Sequence, residues 1–511
     1  MNEPLSTRLS GVLMPLFSLP GPYGIGTMGK EAFRFVDFLK KAGQSYWQIL
    51  PLNPTNYGDS PYQSFSCAAG NPYFIDLDLL ARDGLLMREE YAEVDFGQNP
   101  DRVDYARLYE TRLPVLRRAF ARFGGSAEYE RFCAREAWWL DDYALFMAAK
   151  DAHGGVSWRE WEPALRTRQP AALDALRRER AVEADFYRFI QYIFFRQWGA
   201  LKKYANDNGI RIIGDMPIYV ADDSADVWAN PGQFDLDADL LPRVVAGCPP
   251  DAFSEDGQLW GMPVYDWDAM AAGKTPYLWW RRRMRLALSV YDIVRIDHFR
   301  GFESFYCIPY GAADAKKGVW RKGPGMALFD ALREELGQSL PIIAEDLGFL
   351  TPAVRRLLRD TGFPGMKVLQ FAFGAGEESD YLPHKLERHC VVYTGTHDND
   401  TVAGWTQSAD PTEVAKARRY LHIDDREGFH WGMIRAALMS VADTAILVMP
   451  DFMGLGSEAR INTPSTVGEN WQWRIGTGCI NDWLAQIIRE NVELYGRLPR
   501  EEKKKHLTNP I

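Results

Sequence analysis

The sequence predicts an α/β chain folded as a (β/α)8 TIM barrel with helical and irregular insertions between its strands. Three observations predict it. Eight short apolar runs read as buried parallel strands, helical periods separate most of them, and carboxylates recur where the runs end. The first two runs are Tyr46–Leu52 and Tyr73–Leu77, and Ile210–Val220 follows after a long gap. Ile293–Phe299, Pro341–Leu347, Met366–Phe373, Cys390–Thr394 and Thr444–Met449 complete the set. Lys30–Ala42 and Trp279–Val290 carry apolar residues at helical spacing between runs.

Two long segments interrupt the alternation. Residues 79–201 are charged, helix-forming and apolar at helical spacing, so a helical subdomain is expected there. Residues 222–274 are rich in Pro, Gly, Asp and Trp and read as an irregular loop near a substrate. The whole of 1–511 reads as one catalytic barrel carrying these two insertions.

Composition narrows the function classes. The 511 residues carry a net charge of −10 with no long basic tract, which repels a phosphate backbone and argues against nucleic acid. No run of eighteen apolar residues is present to span a membrane. The apolar run Gly11–Leu19 is broken by Pro15 and lacks a basic flank, so no signal peptide is read and a cytoplasmic location is expected. Six scattered cysteines show no metal spacing, and no cofactor is expected. Aromatic residues make up 13% of the chain; they serve a core, or platforms for the C–H faces of sugar rings.

Two motifs fail on inspection. Gly24–Gly29 matches GxGxxG, but the prolines before it are poor strand material and no acidic residue ends the following run. Asp235–Asp239 begins like a calcium loop, yet Leu240 and Ala246 stand where glycine and glutamate are required.

The run-end carboxylates carry more. Arg295 and Asp297 are two apart on a strand and share a face, so the guanidinium pulls the carboxyl pKa down and favours the ionised form a nucleophile needs. A structural ion pair fits the same spacing. Glu345 ends the next run, where a raised pKa would let it protonate a leaving oxygen; it or Asp346 would equally serve as a helix N-cap. His397 and Asp398 end a further run and offer donors and acceptors to hydroxyl groups. Two carboxyls about 5–5.5 Å apart are the arrangement of retaining glycoside hydrolysis.

With these motifs assembled, the chain resembles glycoside hydrolase family 77, the 4-α-glucanotransferases, over nearly its full length. The resemblance rests on Pro22–Gly26, Trp47–Leu52, Ser60–Phe65, Gly214–Tyr219, Pro249–Phe253 and Gly257–Gly261. It continues through Arg295–Gly301, Ala344–Gly348, Tyr393–Thr401, Asn462–Pro464 and Asn470–Arg474. It implies Asp297 as nucleophile, Glu345 as acid/base and Asp398 as transition-state stabiliser. It implies Asp215, Arg295 and His397 as holders of the donor sugar. Tyr62, Trp260 and Asn470 become nearby glucan contacts, and Tyr57 a contact away from the centre. It also implies a barrel without a C-terminal β domain, no metal, α-1,4-glucans and maltooligosaccharides as partners, and glucose as an acceptor. Transfer over hydrolysis is implied if Pro249–Gly261 and Ile461–Trp473 close over the site and exclude water. The rival readings are an α-amylase-type hydrolase, which shares the barrel and carboxylates, and a non-catalytic glucan-binding protein, which would not need all three acids.

Overall fold

Eight short strands, most of them fully buried, form the centre of the computed structural model, which describes residues 8–250, 255–348, 350–374 and 379–499. They are β1 (Leu9–Leu13), β2 (Tyr46–Gln48), β3 (Arg211–Met216), β4 (Ile293–Ile296), β5 (Ile342–Ala344), β6 (Gly365–Val368), β7 (Cys390–Tyr393) and β8 (Thr444–Val448). All seven ladders are parallel and run β6-β7-β8-β1-β2-β3-β4-β5. The ring closes between β5 and β6 by other means. The Ala344 N–H donates to the Pro364 carbonyl at 3.0 Å, and the Met366 N–H donates to the Asp346 carboxylate at 2.6 Å. Side chains buried on both faces of such strands read as continuous apolar runs, which is why the barrel is visible in the sequence.

One strand differs from expectation. Tyr73–Leu77 is not in the barrel. The Asn71 side chain accepts the Tyr73 N–H at 2.9 Å and starts a 3-10 turn, Pro72–Phe74. Asp76 then caps the helix Leu77–Arg82 through the Leu79 N–H at 3.0 Å. Two glutamines on the long helix Ala181–Asp207 hold this segment in place: Gln191 exchanges hydrogen bonds with the Gly70 backbone and Gln197 with that of Asp76. Local capping outcompetes the strand pattern here. The missing strand is β1, inside the apolar run at the start of the chain. It ends two residues before Pro15, and its Gly11 permits an approach to β2 so close that an added Cβ would lie 2.4 Å from the Tyr46 Cβ.

The connection from β2 to β3 carries three long helices, Tyr105–Arg122, Ala127–Ala152 and Ala181–Asp207. The connection from β3 to β4 is more ordered than its composition suggests. Its strands Val244–Cys248 and Gln258–Pro263 pair with Ser304–Pro309 and Val319–Lys322 in an antiparallel sheet, in the order 258–263, 244–248, 304–309, 319–322. Among the described residues no strand follows β8, and no helix is long and apolar enough to cross a membrane.

Asp346 was a candidate helix cap, but the next helix, Pro352–Thr361, is capped by Thr351. Asp346 is 4% exposed and belongs to the barrel closure. Asp346→Ala leaves the buried Met366 N–H without an acceptor and is expected to cost about 1–3 kcal/mol. A denaturant midpoint equal to that of the parent would show that the closure does not depend on this bond.

Candidate active site

The site begins with strand register. Asp215 on β3 pairs directly with Arg295 on β4, and both side chains are buried. Arg295 Nη1 donates to both Asp215 oxygens, at 2.8 and 2.6 Å, and lies 3.0 Å from Asp297 Oδ1. The period-2 reading of Arg295 and Asp297 is realised, and the guanidinium is shared between two acids. Asp297 keeps 30% of its side chain exposed while Asp215 keeps none, so Asp297 is the one that faces the barrel mouth.

The backbone turns sharply after Asp297. His298 adopts a left-handed conformation, φ 51°, and its N–H donates to Glu345 Oε2 at 2.8 Å. The Leu347 N–H donates to Glu345 Oε1 at 2.7 Å. Glu345 is thus clamped by the turn that follows Asp297 and does not cap a helix. Burial pushes the Glu345 carboxyl up to about 7, and the charge of Asp297 adds to the rise; Arg295 and the two backbone donors oppose it. Burial also pushes Asp297 up, to about 6. Arg295 does pull Asp297 down, as its spacing predicted, but burial outweighs it. Burial raises both carboxyls and their charges couple them, so the pair keeps a proton more readily than two isolated acids would.

A second cluster comes from segments far apart in sequence. The Tyr62 hydroxyl lies 2.9 Å from Asp215 Oδ2 and 2.9 Å from His397 Nε2, and its ring stacks on His397 with centroids 5.3 Å apart. A hydroxyl that donates to a carboxylate must accept from the imidazole, so His397 carries its proton on Nε2. Trp471 covers both rings, 5.7 Å from Tyr62 and 6.0 Å from His397. Asp398 follows β7, its side chain 44% exposed and 3.4 Å from His397 Nε2.

Sequence reasoning missed what holds Asp398. The Asn462 Nδ2 donates to Asp398 Oδ1 at 2.6 Å, and the Asn462 N–H donates to the His397 carbonyl at 3.0 Å. Arg460 ties the same segment down through the carbonyls of Asp398, at 2.7 Å, and Asn462, at 2.8 Å. Asn462 stood in a quoted motif, but no local pattern showed which acid it would reach. His298 was missed as well. Its ring packs edge-on against Trp260, 4.8 Å between centroids, and burial lowers its pKa to about 3.

The remaining candidates divide. Trp260 lies on the strand Gln258–Pro263 and reaches the centre through His298. Asn470 is committed within its own loop. Its Oδ1 accepts the Thr463 N–H and its Nδ2 donates to the Thr466 carbonyl, both at 2.9 Å, so it shapes the 461–471 loop. Tyr57 stands in the turn Tyr57–Asp59, and its side chain lies outside the described residues, as do positions 251–254 of the expected Pro249–Gly261 lid. Among the described residues no cluster of three His, Cys, Asp or Glu could hold a metal. In the false calcium motif, Asp237 instead accepts the N–H groups of Asp239 and Leu241.

Known proteins match this chain along most of its length. A family model described as 4-alpha-glucanotransferase, glycoside hydrolase family 77, matches residues 14–478. A 4-alpha-glucanotransferase of Clostridium butyricum is 49% identical over 488 residues, covering 95% of this chain and 100% of that protein. One from Thermus thermophilus is 49% identical over 504 residues, covering 96% and 99%. The solved structure of an amylomaltase from Streptococcus agalactiae in complex with acarbose superposes with a TM-score of 0.93 at 42% identity, covering 96% of this chain and 100% of that one.

The raised Glu345 carboxyl has a consequence for stability. Between its ordinary value of 4.5 and about 7, the native state holds a proton that the unfolded chain has released. Native stability from this group is therefore lost as pH rises through that window. Glu345→Gln, which cannot ionise, is expected to melt several degrees above the parent at pH 8 and to converge with it at pH 4. An equal gain at both pH values in scanning calorimetry would contradict this.

Proposed function

The chain belongs to glycoside hydrolase family 77, the 4-alpha-glucanotransferases, and we propose that it moves segments of α-1,4-glucan between chains by a retaining double displacement. One observation supports this above the others. A carboxyl with a raised pKa, Glu345, is clamped by the turn that carries a second carboxyl, Asp297, held by a buried guanidinium. That is a proton donor beside a nucleophile.

In the first step Glu345 protonates the glycosidic oxygen while Asp297 attacks the anomeric carbon. The C–O bond breaks, the reducing-end fragment leaves with the proton, and a β-glucosyl ester forms on Asp297. In the second step Glu345 takes the proton from the 4-hydroxyl of an acceptor, glucose or another glucan, and that oxygen displaces Asp297 with a second inversion. Asp398 and His397 bind the 2- and 3-hydroxyls, more tightly in the oxocarbenium-like state than in the ground state. Asp398 suits this role because Asn462 and Arg460 fix it while it stays open to the mouth. Asp215 and Tyr62 keep Arg295 and His397 in register below the sugar.

Transfer beats hydrolysis when the acceptor site is filled and water is kept from the ester. The Ile461–Trp473 segment serves that end: it carries Asn462 beside Asp398 and Trp471 over Tyr62 and His397. Maltotriose alone is expected to yield glucose and a ladder of longer maltooligosaccharides with little new reducing end. Equal amounts of glucose and maltose with no longer product, seen by chromatography, would establish a hydrolase instead.

The two carboxyl roles are separable by stereochemistry. With an activated donor such as α-maltosyl fluoride, Glu345→Ala is expected to form the Asp297 ester, and azide then intercepts it to give an α-azide. Asp297→Ala has no ester; azide enters the vacated space directly and gives a β-azide. The opposite pairing of products, read by NMR, would exchange the roles.

A further inference from the structure

A cavity of about 300 Å³ is walled by the helices Ala127–Ala152 and Leu278–Val290 and by the segment 225–233. None of the three catalytic candidates lines it, and neither does Tyr57. Its volume is at the lower end of the range for small-ligand pockets, about 300–1,000 Å³.

The sequence places adjacent tryptophans, Trp138 and Trp139, on the first helix. Trp139 turns inward and donates its indole N–H to Glu136 at 2.9 Å. Trp138 stays half-exposed in the cavity wall, and its indole N–H has no hydrogen-bond partner among the described residues. Trp279 on the opposite helix lines the cavity too, and its N–H is likewise unpaired. Between them the Gln233 amide makes no hydrogen bond among the described residues, and Asn230 spends only its Nδ2, on the Asp226 carbonyl at 3.1 Å. Asp142 gives one oxygen to Arg168 at 2.5 Å, which leaves the other.

Two indoles with free donors, an open amide and a half-used carboxylate line a cavity that is as polar as it is apolar; the Arg282 guanidinium lies 5.7 Å from the Trp138 ring, and Trp279, 8% exposed, is packed against Tyr265 and Trp280. The charges that line it are two acids, Asp142 and Asp226, and two cations, Lys274 and Arg282, so no net field selects an ion. That chemistry matches a neutral polyhydroxylated ring, whose hydroxyls both donate and accept.

We propose that this cavity is a second carbohydrate site that holds a glucosyl unit of an α-glucan at a distance from the catalytic carboxyls. The proposal rests on the glucan-transfer reading of the barrel mouth. Its floor is the segment that carries Tyr62: Ser66 lines the cavity, and the next residue, Cys67, donates its N–H to Asp226 at 2.7 Å. Anchoring one part of a long glucan here raises the effective concentration of the rest at the mouth. Short maltooligosaccharides gain nothing from it.

The test uses full-length Glu345→Gln protein labelled with 5-fluorotryptophan, with the Trp138, Trp279 and Trp260 signals assigned by single Trp→Phe variants. Maltotetraose titrated into it is expected to shift the Trp138 and Trp279 fluorine resonances saturably, and Gln233→Ala to weaken that response about fivefold. In the otherwise native enzyme, Gln233→Ala is expected to raise KM for amylose about fivefold and to leave kcat and the KM for maltotriose unchanged. If the Trp260 resonance moves while Trp138 and Trp279 stay still, the barrel mouth binds glucan and this cavity does not, and the proposal falls alone. If none of the three moves, the glucan reading of the whole protein falls with it.

Discussion

A guanidinium buried between two carboxylates is the constraint on which the rest of this site depends. Arg295 is 2% exposed, and a cation so placed is tolerated only when its hydrogen bonds are made. Asp215 supplies two acceptors from the neighbouring strand, and the Asp297 carboxylate pairs with the same guanidinium at 3.0 Å from two residues along. Removing one partner of such a group typically costs about 3–5 kcal/mol, because the other charge is left without compensation. The barrel therefore cannot slip register at β3 and β4 without stranding a charge. The same contacts fix where Asp297 points and oppose the rise that burial imposes on its carboxyl.

From this anchor the site is assembled outward. Asp215 also receives Tyr62, which in turn fixes the tautomer of His397, and His397 precedes Asp398. Asp297 leads into the strained turn at His298, whose backbone N–H holds Glu345. Glu345 and Asp398 are thus positioned by groups from another strand end or loop, and Asp297 by an arginine that the neighbouring strand holds in place. Such sharing brings two carboxyls close enough that the charge of Asp297 raises the proton affinity of Glu345. It also ties the 460–471 segment to the chemistry, since Asn462 and Arg460 grip Asp398 from above.

The second cavity is built on the same economy of segments. The stretch after Tyr62 runs from the catalytic cluster to Ser66 and to Cys67, whose N–H reaches Asp226 at 2.7 Å. One loop therefore forms part of two concave surfaces, one rich in charge and one balanced in charge.

The sequence by itself determined the barrel strands and the acids at their ends. A strand buried on both faces must be apolar throughout, so a carboxylate at its end stands out, and residues two apart must share a face. Where local chemistry competes, the pattern misleads: Asn71 and Asp76 turn an apolar stretch into capped helical turns, and Pro15 hides the strand before it. Only the tertiary structure decided that Asp346 closes the barrel, that Asn470 serves its own loop, that Asn462 holds Asp398, and that burial raises Asp297 despite Arg295. The physical reason is range. Strand patterns and caps are set by neighbours a few residues away. Hydrogen bonds between distant segments, and the desolvation that shifts a pKa, depend on every element packed around the group.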